Sequence, residues 1–290
     1  MSTIFSLINR HNKVYRRDKT LVLFSFLSVL IVITLYAVFL QKLQVDAIEE
    51  IVPASSEITT LVNEWMVAGL LSIVTVTTTL AAFGIYIRDL ETKGLADLLT
   101  APTSRATLQF SYVANAWMIG FILSVVAFIL CELFIVSTGG HLVDAGTFIE
   151  IVGIIALSVS LSSMFNLFFT LLVSTQTAFS TLNTIIGTAI GFLCGVYVPM
   201  GSLPNAVQNV IMFFPISHST VLFREKLMVH SLDNVFAGTP EVLAQYKKNF
   251  GVVYEWNNTL LSTSVSYIVI IGSTIALATI SLLIFKLKNK

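Results

Sequence analysis

Residues 187–226 read GTAIGFLCGVYVPMGSLPNAVQNVIMFFPISHSTVLFREK, and the interruptions within this stretch decide the fold. It opens as an apolar helix in which Gly187, Gly191 and Gly195 recur at four-residue steps. That spacing lays patches without side chains along one helical face, where another helix can press close. Pro199, Gly201 and Pro204 then end the helix, and a second apolar run, residues 207–214, stops at Pro215. This run is too short to cross a bilayer, which takes about 20 apolar residues. It reads as a segment that dips into the membrane and returns or lies under its surface, or as an ordinary loop with an apolar middle.

Composition sets the solvent around this stretch. Hydrophobic residues make up 56% of the 290 and charged residues 11%, against about 25% charged in soluble domains. The chain is therefore an integral membrane protein. Residues 21–40, 65–87, 106–136, 148–173, 178–199 and 261–285 are each apolar enough to cross as a helix. Each reaches about 30 Å at 1.5 Å per residue. Residues 151–199 carry no Asp, Glu, Lys or Arg, yet they are too long for one crossing. They must fold back near Ser174-Thr175-Gln176-Thr177. The expected fold is all-α and polytopic, with six transmembrane helices in residues 21–290, an amphipathic helix in residues 1–20, and an outer re-entrant and loop region in residues 200–260. Cys131 and Cys194 fall inside apolar spans as small hydrophobes, and no disulfide framework is implied.

The formal charge is zero, so the placement of basic residues carries the information. Arg10, Lys13, Arg16, Arg17 and Lys19 precede the first span, Arg88, Lys93 and Arg105 separate the second from the third, and Lys286, Lys288 and Lys290 follow the last. These segments are expected to face the cytoplasm, with both termini inside. The acidic segment Asp46, Glu49, Glu50, Glu57 and Glu64 and the Lys- and Arg-free segment 137–147 face outward. Residues 217–260 are read as an outer segment that includes Arg224. Trp65 and Trp256 fall where an outer aromatic belt would lie.

In residues 1–19, Ile4, Phe5, Leu7, Ile8, His11, Val14 and Tyr15 share one helical side, opposite Arg10, Lys13, Arg16 and Arg17. The basic face meets either lipid phosphates or an acidic partner. Residues 88–105 are charged, with Leu95, Leu98 and Leu99 on one side and Pro102 as a stop. They form either a short docking helix, for which Glu91 supplies charge, or a solvated turn.

Chemistry-bearing motifs are scarce. No phosphate-binding Gly-Lys-Ser/Thr loop occurs, the histidines and cysteines lack metal-ligand spacing, and nothing supports a nucleic-acid partner. Glu132 is the one carboxylate well inside an expected span, read as an outer-end group with no second buried acid beside it. Asn257-Asn258-Thr259 is a sequon without a stated compartment.

The order of these elements, with the pattern Gly195, Pro199, Leu203-Pro204, Pro215 and Arg224, resembles the type 2 permease family of ABC exporters across essentially the whole chain. The resemblance implies a membrane subunit that pairs with a second permease, a homodimer being expected. It also implies separate ATPase subunits, which would carry the ATP and Mg2+, so this chain is expected not to be an enzyme. By resemblance, residues 1–19 are the connecting helix and residues 88–102 the coupling helix at the ATPase surface, where Arg10, Lys13, Arg16, Arg17, Glu91, Leu95, Leu98 and Leu99 act. Gly187, Gly191, Gly195, Pro199, Pro204, Phe213, Phe214 and Pro215 form the packing and gate region. The implied substrate is a hydrophobic drug, antimicrobial peptide or similar compound leaving across the plasma membrane. A polysaccharide or lipid-linked glycan exporter, or a non-transport assembly protein, is the alternative.

Overall fold

The computed structural model describes residues 2–100, 103–256 and 259–288. Pro102 and the Asn257-Asn258 portion of the sequon lie outside the described residues. The chain runs α1 (Ser2–Arg17), α2 (Lys19–Leu35), a π-helical segment (Tyr36–Leu40), α3 (Gln41–Glu49), α4 (Ser56–Glu91), α5 (Gly94–Thr100), α6 (Arg105–Ser137), α7 (Ala145–Thr170) and α8 (Gln176–Leu193). Then follow α9 (Asn205–Phe213), α10 (Ser217–Leu227), α11 (Val229–Val235), α12 (Pro240–Asn249), a hairpin of β1 (Glu255–Trp256) and β2 (Thr259–Leu260), and α13 (Thr263–Lys288). The strands pair antiparallel, Glu255 opposite Leu260.

The hub is α4, whose 36 residues extend about 54 Å. It packs on α6, α7, α8, α10 and α11, and it is buried almost continuously from Ile58 to Val76. Small and hydroxyl-bearing residues allow this. A Cβ on Gly69 would stand 2.8 Å from the Val196 methyls, and one on Gly120 of α6 would stand 2.3 Å from Thr79 Cγ2. The hydroxyls of Thr75, Thr77, Thr78 and Thr79 donate back to α4 carbonyls, so they are satisfied without water. Asn166 of α7 donates to the Val76 carbonyl and to Thr79 Oγ1, and Thr220 of α10 donates to Ser72 Oγ. A polar seam thus holds α4, α7 and α10 together inside an otherwise apolar core.

Among the described residues four helices, α4, α6, α7 and α13, are long and apolar enough to cross a membrane, and α9 with α10 passes the same test as a pair bent by 89°. The fold is an all-α polytopic membrane fold. The charge-free run folds back as its length requires: α7 ends at Thr170, and Thr175 caps α8 by accepting the Ala178 N–H. The expected fifth stretch is shorter than 178–199, because α8 stops at Leu193. Gly195 takes φ +59°, its N–H reaches the Phe192 carbonyl, and the Val196 N–H reaches the Gly191 carbonyl. Those two bonds form a Schellman stop, which favours glycine at the left-handed position.

The three glycines have different surroundings within the chain. Gly195 lies beyond the helix, Gly187 faces open space, and a Cβ on Gly191 would stand 2.2 Å from the Tyr197 ring of the same chain. Gly191 therefore makes room for Tyr197. Gly191→Leu is expected to expel that ring and lower stability by about 1–3 kcal/mol. Gly187→Leu should leave the thermal midpoint of the purified protein near wild type. Equal midpoints for the two variants would remove the role assigned to Tyr197.

The region after α8 departs most from expectation. Pro199 and Pro204 precede a single 3-10 turn and α9, respectively, and the chain turns through about a right angle at Phe214-Pro215-Ile216 into α10. Phe214 packs on Phe165 of α7, and the exposed Phe213 meets Trp256 of β1. Residues 217–227 are not an outer loop: α10 lies against α4, α7 and α13, with Ser217 to Arg224 buried. His218 is held by the Met212 carbonyl and Ser266, which joins α9, α10 and α13.

Candidate functional site

A cavity of about 660 Å³ opens between the end of α1, the start of α2, α4 and α8. Ala81, Ile85 and Phe179 make its apolar wall, and Thr77, Thr78, Ser180 and Asn183 line it with hydroxyl and amide groups. Arg88 and Asp18 place charge at one end. The wall is tight where α8 crosses α4, since a Cβ on Gly84 would touch the Phe179 ring at 3.4 Å. At that crossing Gln176 donates its side-chain N–H to the Gly84 carbonyl, and its backbone N–H to the Glu91 carboxylate. Such a space, apolar along its length with polar groups at fixed points, suits an amphiphilic small molecule.

One side of the cavity is α1, fastened to α4 and α6 by a polar clamp. Arg10 donates from Nη1 to Asp89 Oδ2 at 2.5 Å and from Nη2 to Oδ1 at 2.9 Å. Tyr112 of α6 donates its hydroxyl to the same Asp89 Oδ2 at 2.7 Å. The His11 ring stacks on Tyr112 with centroids 4.0 Å apart. Arg10 Nη1 also lies 3.1 Å from His11 Nδ1, which makes that nitrogen an acceptor, so Nε2 carries the proton and donates to Ser111 Oγ. Burial, aided by the neighbouring Arg10 charge, pushes His11 down to about 4. Adjacent residues of α4 thus divide their tasks: Arg88 faces the cavity and Asp89 faces the clamp.

At the other end of α4 a second polar knot closes the bundle. Arg224 of α10 is fully buried. It donates to the Gly195 carbonyl at 2.7 Å and the Gly251 carbonyl at 3.3 Å, and its guanidinium lies 4.6 Å from the Trp65 ring centroid. Trp65 donates its indole N–H to the Phe250 carbonyl. Arg224 is therefore not a solvated outer charge, and Trp65 is not a belt residue facing lipid. Both tie the end of α12 to the bundle.

The sequence-derived docking residues divide in the same way. Lys13, Arg16 and Arg17 are exposed on α1, whereas Arg10 is held in the clamp. Leu95 and Leu98 are half-buried and pack against the core of their own chain, and the Leu99 side chain lies outside the described residues. Glu91 is exposed yet holds the start of α8. Glu132 is buried and accepts the Val143 N–H. A second buried acid, Glu64, stands near it, because α4 begins at Ser56 and not at residue 65. The cavity and the clamp were not anticipated. Their signal was the juxtaposition of Arg88 with Asp89 after a long apolar run.

A comparison with curated proteins finds no match. Against protein-family descriptions, residues 2–228, from α1 through α10, match the ABC-2 type transporter. That match covers well over half of the chain, and the chain belongs to the ABC-2 type transporter family.

Proposed function

We propose that this chain is the permease subunit of an ATP-driven exporter that carries a hydrophobic drug, an antimicrobial peptide or a similar amphiphile out of the cell. The family implies an ABC ATPase partner. In this reading ATP and Mg2+ act in that partner, this chain does no catalysis, and two copies of the chain pair in the plasma membrane. Six crossings follow when α2 with its π segment and α8 are counted beside α4, α6, α7 and α13, which leaves α9 and α10 re-entrant. Both termini are then cytoplasmic, as the basic residues of α1 require.

The observation that carries the reading is the cavity beside Arg88. It lies at the end of α4 from which α5 leaves and to which α1 is clamped. A push on either short helix would be felt at the cavity wall, which is how a partner's ATP binding could bias one state of the permease over another. The hydroxyl and amide row of Thr77, Thr78, Ser180 and Asn183 keeps a lipid-linked glycan as the second substrate class.

The test is reconstitution with the cognate ATPase in vesicles. A hydrophobic cationic dye is expected to raise the ATPase rate several-fold and to be exported. Ala81→Trp, which fills the cavity, should abolish both effects. Reversing the exposed Arg16 and Arg17 to Glu should release the ATPase while the permease melts as wild type. Dye stimulation that survives Ala81→Trp would remove the cavity from the path, and stimulation by a lipid-linked glycan alone would select the second class.

A further inference from the structure

A second cavity, of about 440 Å³, lies between the last turns of α6, the connection 138–144 and the first turns of α7. Its wall is apolar, made by Ile129, Leu133, Leu142, Phe148 and Ile149, and the floor is stiffened by Phe148 stacked on Phe128 with centroids 5.3 Å apart. Glu132 is the one ionisable side chain lining it. That residue is 3% exposed. Its Oε2 accepts the Val143 N–H at 3.1 Å, and its Oε1 is buried with no partner. Glu64, the neighbouring buried acid, interacts electrostatically with Glu132 and has the Ser231 side chain as its hydrogen-bond partner. One carboxylate with unmet acceptor capacity thus lines an apolar groove of small-molecule size, about 300–1,000 Å³.

An unpaired buried acceptor is unfavourable, and a charged donor satisfies it better than a neutral one. A neutral alkyl chain would fill the groove and leave Oε1 unmet. A phospholipid would bring phosphate toward the Glu132 carboxylate. A molecule with a positively charged nitrogen at one end and an apolar tail fits both halves of the site. We propose that this groove binds a cationic amphiphile, with its ammonium donating to Glu132 Oε1 and its tail lying along Leu133, Phe148 and Ile149. The site is separate from the cavity beside Arg88 and does not depend on the export reading.

The experiment uses the full chain in phosphatidylcholine nanodiscs, without any ATPase, and dodecylamine bearing a diazirine on its tail. After irradiation, labelled peptides are mapped by mass spectrometry. Labelling is expected to concentrate in residues 129–149. Excess dodecylamine should suppress it about tenfold or more, and dodecanol at the same concentration should suppress it less than twofold. Glu132→Gln, which still offers Val143 an acceptor, should weaken apparent binding by about tenfold or more. Ala145→Trp should block the groove while leaving the carboxylate in place, which covers the case in which Glu132→Gln does not fold. Equal competition by dodecanol would mean a groove for lipid tails only and would overturn the proposal. So would unchanged labelling in a folded Glu132→Gln protein, or labelling concentrated elsewhere.

Discussion

Arg224→Leu is expected to loosen the region where α10 meets the end of α12 and the start of α4, without dissolving the helices. The guanidinium is buried, and it bridges two carbonyls far apart in sequence, those of Gly195 and Gly251, from beneath the Trp65 ring. Removing it leaves two buried acceptors unmet, at about 1–3 kcal/mol each, and forfeits a desolvated cation–π contact of about 2 kcal/mol. Relief from burying a charge that no carboxylate offsets among the described ion pairs opposes this loss. A net destabilisation of about 2–4 kcal/mol follows. Arg224→Lys is no remedy, since a single ammonium cannot reproduce the planar fork that spans both carbonyls. Gly251 leaves little room for adjustment: it sits at φ +64°, and a Cβ there would stand 2.9 Å from Arg224 Nη1. Both variants should show faster proteolysis within residues 229–262 and a red-shifted Trp65 emission, with helical circular dichroism retained. Proteolysis and emission at wild-type values in Arg224→Leu would mean that the knot is incidental.

What the sequence disclosed follows from how local each cause is. The return between α7 and α8 was legible because an uncharged run longer than one span has to turn somewhere, and Thr175 supplies a cap. The helix at residues 2–17 was legible because its apolar and basic sides separate at helical spacing. By contrast, α10 contains His218, Arg224, Glu225 and Lys226, which in isolation read as a wet segment. Only the approach of carbonyls from residues 195 and 251 makes Arg224 a core residue. The leucines of α5 show the same limit in the opposite direction. Their stripe located a face that must be covered, but amphipathicity does not state what covers it, and Leu95 and Leu98 are half-buried against their own chain. The cavity beside Arg88 was out of reach for a similar reason: its lining comes from α1, α4 and α8, which no local pattern joins.

Asp89→Asn is expected to undock α1. In the wild-type chain both Asp89 oxygens accept from Arg10, and Oδ2 also accepts from Tyr112. An asparagine would set an N–H group against one of those donors and leave the Arg10 charge unpaired. Breaking a buried pair from one side costs about 3–5 kcal/mol. Arg10 is itself 37% exposed, and water compensates part of that loss, so about 2 kcal/mol is the better figure. The protection of α1 amides against hydrogen exchange should fall by about tenfold or more, while that of α4 and α6 is kept. The same clamp makes docking sensitive to acid through His11. Its docked value is lowered to about 4, whereas an undocked histidine titrates near 6.5. Between those limits the undocked state binds more protons, so docking weakens as the pH falls from about 6.5 toward 4 and is insensitive to His11 above that window. The full effect is on the order of 3 kcal/mol. Protection factors for α1, corrected for intrinsic exchange, should therefore drop between pH 7 and pH 5 in the wild-type chain. They should drop much less in His11→Gln, which cannot acquire the charge. If α1 is equally protected at both pH values in the wild-type chain, the His11 contact does not control docking, and the hold on α1 rests with Arg10 and Asp89 alone.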